Sequence, residues 1–386
     1  MTRKHRCSVR FLMILAGSMI AVFGLKSEEG ASTGSNLGSV QKDGPPLRLA
    51  VAGLVHGHVQ GFLNKLAARK DIVLVGIAEP DALLAEKYSG LTGIGPARVF
   101  KNLGELLDSS RPQAVAAFTS TLGHLEVVRA CAARGIPVMM EKPLAVSLEQ
   151  GREMARLVNA AGIPLVVNYE TTWYPSNQLA YSTAVVNKGL GEIRKIVVHD
   201  GHSGPKEIGC PEEFLRWLTD PVENGAGALF DFGCYGANLA TWLMGNRRPL
   251  TVTAITQQIK PTLYPKVDDE ATLILTYEKA QVIIQASWNW PYDRKDMEIY
   301  GTSGYLLAID RQQVRLRVGK QTEKVLKAEP LSPPMDEALN YLAAVARGRI
   351  RSSGLSSLEN NLVVTEILDA ARRSAQGGTT VQLPDR

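Results

Sequence analysis

The sequence has few cysteines and no cysteine pair at metal-binding spacing. Four of its 386 residues are cysteine, and Cys7 lies in a basic, apolar N-terminal stretch. The remaining three, Cys131, Cys210 and Cys234, are scattered along the chain. This pattern excludes a disulfide framework and a cysteine-based zinc site. We therefore predict no structural metal.

The sequence also lacks an excess of positive charge outside its first ten residues. The formal net charge is +5, and removing the four charges of the N-terminal stretch leaves +1 for the rest; these four are Arg3, Lys4, Arg6 and Arg10. A body so close to neutrality, without a dense Lys/Arg run, has no general attraction for a phosphate backbone. We expect no nucleic-acid partner.

Long hydrophobic runs are absent except for one at residues 11–25, which is short for a membrane-spanning helix. A basic start followed by such a run is typical of a signal peptide, so we assign residues 1–25 to a signal peptide or anchor. Residues 26–46 are rich in Gly and Ser and are expected to form a flexible leader. Either reading places the body in the periplasm or on the outer face of a membrane. A start at Met13 or Met19 would instead make the protein cytoplasmic.

From Leu47 onward, short apolar runs alternate with helical patterns up to residue 168. Alternation of this kind predicts a parallel sheet covered by helices on both faces, as in a Rossmann dinucleotide-binding domain. Residues 169–386 contain closely spaced β-type runs, which predict an α+β domain with a large, mostly antiparallel sheet. A long packing helix is expected at about 358–374. The fold class is thus α/β with two domains, at 47–168 and 169–386.

The first strand leads into its helix through Gly53-Leu-Val55-His56-Gly57-His58. A dinucleotide fold places its phosphate-binding turn here, usually as G-x-G-x-x-G. Val55 and His58 replace two of these glycines. The helix N-terminus still offers free N–H groups to an anion, so Gly53, Val55, His56 and Gly57 are candidate cofactor contacts.

Glu79 ends the second strand, 26 residues beyond Gly53. An acidic side chain at this place hydrogen-bonds an adenosine ribose and repels a 2'-phosphate. We expect NAD rather than NADP. A solvated carboxylate at a strand end is the alternative.

The most specific motif is Glu141-Lys142-Pro143, directly after an apolar strand at the edge where ligands bind in such sheets. A second block runs from Gly225 to Asn238 and contains Asp231 and Tyr235. Together with His124 and the run TWYP at 172–175, these motifs resemble the glucose-fructose oxidoreductase, inositol dehydrogenase and MocA family. The resemblance covers residues 47–380.

The resemblance implies catalytic roles for two residues. Lys142 would orient a substrate hydroxyl, and Tyr235 would move its proton while hydride passes to nicotinamide. A nearby ammonium favours a phenolate, so we expect Lys142 to lower the pKa of Tyr235 towards a useful range. An aromatic core residue is the alternative reading of Tyr235.

The resemblance also implies further contacts. On the cofactor side, the family's A-T-P-N turn here contains Thr119 and Thr121, which puts the cofactor geometry in doubt; the remaining cofactor candidates are His124, Glu141 and Lys142. The substrate candidates are Tyr169, Trp173, His202, Asp231 and Asn238. Positions 231, 235 and 238 would share one face of a continuous helix and so face one cleft.

Two polar or aromatic groups leave alternatives open. His199 and His202 are three residues apart, but on a strand they point to opposite faces, so we prefer one cleft residue over a metal site. The aromatic run 288–292 suits stacking on sugar CH faces or packing in a core or subunit interface.

These observations predict an exported NAD-dependent oxidoreductase acting on a hydroxyl carbon of a sugar or polyol. Because no replenished NAD pool is expected outside the cytoplasm, the cofactor would be tightly retained. Alternatives are a redox-neutral NAD-dependent glycoside hydrolase and a non-catalytic sugar-binding protein on a degenerate dehydrogenase fold. The resemblance also implies a homodimer or homotetramer formed through the second sheet.

Overall fold

The computed structural model describes residues 44–383. The predicted signal or anchor (1–25) and the leader up to residue 43 lie outside the described residues, so export stays a prediction. Within residues 44–383, no helix has both the length and the apolar character needed to cross a bilayer.

A six-stranded parallel sheet forms the first half of the described chain, with strand order β3-β2-β1-β4-β5-β6. Its strands are β1 (Leu47–Ala52), β2 (Ile72–Ala78), β3 (Val99–Phe100), β4 (Ala114–Ala117), β5 (Val138–Glu141) and β6 (Leu165–Asn168). The connecting helices are α1 (Val59–Ala67), α2 (Ala82–Thr92), α3 (Leu103–Ser110), α4 (His124–Ala132) and α5 (Leu148–Ala161). The predicted Rossmann-type alternation is confirmed.

The sheet is buried on both faces because successive side chains of its strands enter different cores. In β1, Leu49 and Val51 pack with α1 and α2, whereas Ala50 and Ala52 pack with α3 and α4. Because β1, β4 and β5 pair in parallel, their carboxyl ends lie at one edge of the sheet. Ligands bind at this edge in open α/β sheets.

A nine-stranded sheet follows, in the order β14-β13-β12-β11-β7-β10-β9-β8-β15. Its strands are β7 (Ile193–Gly201), β8 (Thr251–Gln257), β9 (Glu270–Thr276), β10 (Gln281–Ser287), β11 (Arg294–Gly301), β12 (Gly304–Ala308), β13 (Gln313–Val318), β14 (Lys324–Lys327) and β15 (Val381–Gln382). Only the β7–β10 pair is parallel. The expected mostly antiparallel sheet is confirmed, whereas the boundary at residue 168 stays a prediction.

Seven helices belong to this part of the described chain, and several of them pack on one face of the sheet. They are α6 (Pro175–Tyr181), α7 (Glu212–Leu218), α8 (Pro221–Asn224), α9 (Ala228–Asp231), α10 (Gly233–Leu243), α11 (Ala338–Ala346) and α12 (Leu358–Gly377). A π turn lies at Ser182–Val186, and 3-10 turns lie at Pro96–Arg98, Glu170–Trp173 and Gly354–Ser356. Helices α10 and α12 pack on the sheet and on each other, and α11 packs against β4 of the first sheet. Phe232 separates α9 from α10, so the continuous helix expected to carry positions 231, 235 and 238 is interrupted.

Candidate active site

A cavity of about 710 Å³, here called the central pocket, lies between loops at the carboxyl edge of the six-stranded sheet and the ends of β7 and β11. Its lining joins parts of the chain that are far apart in sequence. The polar and ionisable lining residues include His58, Lys142, Glu170, His202, Asp231 and Tyr235.

Lys142 follows β5 and forms a buried ion pair with Asp231 at the end of α9. Its Nζ donates to Asp231 Oδ1 at 2.5 Å and to the Asp231 carbonyl at 2.9 Å. Trp288 Nε1 donates to the second carboxylate oxygen at 2.9 Å. Burial opposes both charges, but mutual attraction outweighs it, so the pKa of Lys142 is raised and that of Asp231 is lowered. The pair is therefore charged and held in one geometry.

Tyr235 lies in the first turn of α10 and lines the pocket. The Nζ atoms of Lys142 and Lys295 each lie 5.0 Å from its ring centroid. Burial raises its pKa well above the usual value, and the carboxylate of Glu170 adds to the shift. The expected lowering of this pKa by Lys142 is wrong, because the ammonium is neutralised by Asp231 and the ring is buried. Tyr235 is thus a neutral phenol near pH 7.

His202 also lines the pocket, beyond the end of β7. The backbone N–H of Gly204 donates to its Nδ1 at 2.9 Å, which places the proton of the neutral ring on Nε2. Burial lowers its pKa, so the ring is neutral near pH 7. His199 instead bonds Asp296 Oδ1 at 2.9 Å and does not line the central pocket, in line with the expected opposite orientation of the two histidines.

Two other substrate candidates lie beside the pocket rather than in its lining. Tyr169 is fully buried and packs edge-on against Tyr235, with ring centroids 5.4 Å apart. Trp173 lines a neighbouring cavity of about 390 Å³ and donates through Nε1 to Asn168 at 3.1 Å. Trp288, within the aromatic run 288–292, is fully buried and donates to Asp231. Its ring therefore packs in the core and is not open to a sugar.

The structure places Asn238 away from the pocket, which corrects its assignment as a substrate contact. It is fully buried, and its Nδ2 donates to the carbonyl of Leu355 at 2.8 Å and to Asn361 Oδ1 at 3.3 Å. Because Phe232 interrupts the helix, Asp231 and Asn238 do not share a continuous helical face. Asn238 joins α10 to α12.

The loop after β1, residues 53–58, is here called the phosphate loop. It keeps one feature of a phosphate-binding turn. Gly53 has φ of +77°, and a Cβ there would lie 2.6 Å from Thr119 Cγ2, so only glycine fits. Two N–H groups of this loop are already used: Leu54 donates to Glu79 Oε2 at 2.8 Å, and His56 donates to the Phe118 carbonyl at 3.1 Å. They are not free for a pyrophosphate.

Glu79 is buried at the end of β2 rather than presented to a ribose. Its two oxygens accept from the backbone N–H groups of Leu54 and Asp81, at 2.8 and 3.0 Å. Burial raises its pKa. The carboxylate that was expected to select NAD therefore braces the phosphate loop in this structure.

Residues 211–224, here called the cover segment, lie on the same loop. Trp217 Nε1 donates to the Val55 carbonyl at 3.1 Å. The Phe214 ring lies 5.0 Å from the His56 ring, and a Cβ at Gly57 would meet it at 3.2 Å. Two aromatic side chains thus occupy the outer side of the loop.

The cover segment also contacts the two flanks of the loop. On the α2 side, Glu213 pairs with Lys87 at 2.7 Å. On the β4 side, Thr121 donates to Asn224 Oδ1 at 3.3 Å, and Ser120 donates to Glu223 at 2.6 Å. The loop after β1 and both of its flanks therefore contact one segment of the chain.

In this arrangement the loop after β1 is closed to a dinucleotide. A pyrophosphate at the loop needs free N–H groups and open space, but the loop's outer side is packed against Phe214 and Trp217. A pyrophosphate at this loop would have to displace Phe214 and Trp217 from it. Sequence reasoning missed this contact because Trp217 and Val55 are 162 residues apart and no local pattern links them.

His124 and Glu141 lie behind the pocket edge. His124 Nδ1 bonds the Leu144 carbonyl at 3.1 Å, and burial lowers its pKa to about 4, so it supports the β5–α5 connection. Glu141 accepts from Asn168 at 2.8 Å and lies 3.0 Å from His58 Nδ1. Although burial opposes its charge, His58 and the other partners hold the pKa of Glu141 at about 2.

This combination defines a class: a Rossmann-type domain joined to a sheet domain, with a lysine–carboxylate pair and a tyrosine in the pocket between them. Residues 47–169 match the oxidoreductase family model with an NAD-binding Rossmann fold, and residues 180–307 match the GFO/IDH/MocA C-terminal domain. The chain belongs to the GFO/IDH/MocA oxidoreductase family, which confirms the resemblance and its assignment as an enzyme of that class.

The chain is similar to several named dehydrogenases. The chain is 25% identical over 347 residues to D-apiose dehydrogenase of Rhizobium rhizogenes, covering 83% of this chain and 94% of the relative. It is 23% identical over 311 residues to an NADP-dependent scyllo-inositol 2-dehydrogenase of Bacillus subtilis, covering 74% and 83%. An inositol dehydrogenase homologue of Azotobacter vinelandii, solved with NAD, has a TM-score of 0.76 at 20% identity, covering 89% and 98%. The similarity to the Azotobacter structure supports the two-domain fold of this chain.

Proposed function

We propose that the protein is an oxidoreductase that acts on a hydroxyl-bearing carbon of a sugar or polyol bound in the central pocket. The observation that carries the proposal is the charged Lys142–Asp231 pair beside the Tyr235 phenol within one cavity. The dehydrogenases of D-apiose and scyllo-inositol among its relatives support the substrate class.

Lys142 positions the substrate. Two of its ammonium protons are directed to Asp231, and the third is available to a substrate oxygen. Because the pair is buried and hydrogen-bonded, the ammonium is held in place before substrate arrives.

Tyr235 and His202 both present donors near neutral pH. The neutral phenol donates to a substrate oxygen, and the His202 ring carries its proton on Nε2. The pocket therefore stabilises negative charge developing on a substrate oxygen when a carbonyl is reduced. Removal of a hydroxyl proton by Tyr235 requires the phenolate, so the rate of oxidation should rise with pH.

The cofactor in this proposal is NAD, which supplies hydride chemistry when bound. The N-terminal match to an NAD-binding family supports a dinucleotide, and an NADP-dependent relative leaves NADP as the competing choice. Because the phosphate loop is covered, the proposal includes departure of residues 211–224 before a dinucleotide binds.

The test is to purify the protein without added nucleotide, denature it and identify any released dinucleotide by mass and absorbance. A second step follows absorbance of NAD and NADP with a panel of sugars and polyols at several pH values. A dinucleotide released on denaturation supports the proposal. So does a change in dinucleotide absorbance when a sugar or polyol is added. No bound nucleotide, no uptake and no turnover would refute it.

The covered loop favours a second candidate, a sugar-binding protein that does not use its dinucleotide site. In that case sugars bind the central pocket in calorimetry, and neither NAD nor NADP binds. A redox-neutral glycoside hydrolase would instead cleave glycosides with dinucleotide bound and without net change in its absorbance.

Export and assembly are also part of the proposal. Sequencing the mature N-terminus of the secreted fraction tests cleavage near residue 25. Homo-oligomer formation through the second sheet is supported by half-exposed apolar side chains on its face opposite the helices, at Val197, Ile274 and Ile283. Light scattering of the purified protein tests it.

A further inference from the structure

A second cavity, of about 400 Å³ and here called the neutral cavity, lies between α6, the end of α10, α11 and the 3-10 turn at Gly354–Ser356. It shares no lining residue with the central pocket. Among the described residues, its lining has no acidic or basic side chain. A phosphate or carboxylate finds no cation there, and a cationic ligand finds no carboxylate.

Two aromatic rings form one wall of the neutral cavity. Tyr181 and Trp242 stack with their ring centroids 4.0 Å apart and their planes 7° from parallel. Trp242 is buried and Tyr181 is half-buried, and both line the cavity. An aromatic surface of this kind suits packing against the CH face of a sugar ring.

The Trp242 indole lacks the hydrogen bond that other buried tryptophans make. Trp173, Trp217 and Trp288 each donate through Nε1 to an oxygen, at 3.1, 3.1 and 2.9 Å. Trp242 is only 7% exposed, yet its Nε1 donates to none of the described residues. A Cβ at Gly354 would lie 3.3 Å from this nitrogen, so the glycine leaves the N–H uncovered at the cavity. A buried donor without an acceptor is costly, and an oxygen of a ligand would offset that cost.

Other polar groups of the neutral cavity can both donate and accept. Thr172 is buried, and among the described residues its Oγ1 has no hydrogen-bond partner. Gln178 Nε2 makes only a long bond, of 3.4 Å, to the Thr172 carbonyl, and Asn246 adds a second carboxamide to the lining. Hydroxyl and carboxamide groups offer donors and acceptors together, which matches the hydroxyl groups of a sugar. A purely apolar ligand would leave these groups without partners.

We propose that the neutral cavity is a second binding site, which takes one uncharged sugar or cyclic polyol. The ring of the ligand would lie against Tyr181, and its hydroxyl groups would bond Trp242 Nε1 and the Gln178 carboxamide. The cavity volume falls within the range of small-molecule pockets, about 300–1,000 Å³. This site goes beyond the proposed function and does not rest on it, because it contains no group of the reaction pocket and requires no dinucleotide.

One segment of the chain, residues 170–178, separates the two sites. Glu170 and Tyr174 line the central pocket, whereas Thr172 and Gln178 line the neutral cavity. A sugar in the neutral cavity therefore contacts the segment that forms one wall of the central pocket.

The test follows the indole N–H signals of the full chain by NMR, with tryptophan labelled at the indole nitrogen and each signal assigned by replacing one tryptophan with phenylalanine. Trp242 reports on the neutral cavity, and Trp288, which donates to Asp231, reports on the central pocket. The uncharged probes are D-glucose, D-xylose and myo-inositol, and D-glucuronate is the charged probe. At least one uncharged probe is expected to shift the Trp242 signal to saturation, and D-glucuronate is expected to leave it in place.

Two variants test the contacts that hold the ligand. Tyr181→Leu should weaken the binding seen at Trp242 about fivefold by removing the stacking ring, and Gln178→Ala should weaken it by a similar factor. Tyr300→Leu is the matched control, because Tyr300 is a partly exposed tyrosine that also packs on a second ring, Tyr305, but lines neither cavity. This control should leave the affinity unchanged.

Three results would overturn the proposal. They are the absence of a Trp242 shift with every uncharged probe, equal affinities in the wild type and in both variants, and a Trp242 shift that disappears in Lys142→Met/Asp231→Asn. The last result would mean that the signal comes from the central pocket. A saturable shift at Trp242 without one at Trp288 supports the second site even where the oxidoreductase proposal fails, so the two failures are distinguishable.

Discussion

The phosphate loop and the central pocket lie next to each other at one sheet edge, yet they are in opposite states. The pocket is an open cavity with a charged pair and two hydrogen-bond donors directed into it. The loop is packed under Phe214 and Trp217, and two of its N–H groups are bonded within the protein. A fold that carries both sites can thus be ready for one ligand and closed to the other.

The pocket side of this contrast is tested most strongly at Lys142. Lys142→Met leaves Asp231 buried without its cation, which should lower the unfolding free energy by about 3–5 kcal/mol and abolish turnover. Denaturant unfolding and the sugar assay measure both effects. The double variant Lys142→Met/Asp231→Asn should regain most of the stability but no activity. Regained activity would contradict the role of Lys142.

A second change separates chemistry from packing within the pocket. Tyr235→Phe keeps the ring contacts with Tyr169 but removes the hydroxyl, so kcat should fall about 10²-fold or more with little change in stability. Tyr169→Phe is the matched control, because it removes a neighbouring buried hydroxyl outside the pocket lining. Equal losses in the two variants would show that Tyr235 has no special part in the reaction.

His124, which lies behind both regions, should make the stability of the protein depend on pH. Its folded-state pKa of about 4 lies below the ordinary value of 6.5, so the unfolded chain takes up the proton first. Stability is therefore present above pH 6.5 and falls by about 3 kcal/mol as the pH decreases to 4. His124→Asn should flatten this part of the stability curve, as measured by urea unfolding. A parallel curve in the variant would exclude this contribution.

The loop side should respond to a smaller change in the cover segment. Trp217→Phe retains an aromatic ring but removes the hydrogen bond to Val55, which should favour opening by about 1 kcal/mol and raise NAD affinity about fivefold. Sugar affinity should stay the same. Calorimetric titration with each ligand compares the two sites, and weaker NAD binding in the variant would mean that Trp217 helps to hold the dinucleotide.

The sequence predicts the strand and helix order well because each element has its own local pattern of apolar residues. The Glu141-Lys142-Pro143 motif also locates the pocket, since it ends a strand at the ligand-binding edge. Local patterns do not reveal that Trp217 folds back onto Val55, that Glu79 turns inward to Leu54, or that Phe232 breaks the helix before Tyr235. The first two features depend on contacts between parts of the chain that are distant in sequence.

Hydrogen exchange of residues 211–224, followed with and without saturating NAD, tests the contrast most directly. We predict slow exchange in the free protein and faster exchange with NAD, because the dinucleotide replaces the cover segment at the loop. Sugar alone should leave this segment protected. Binding of NAD with unchanged or increased protection of residues 211–224 would contradict the conclusion that the loop is closed until the cover segment leaves.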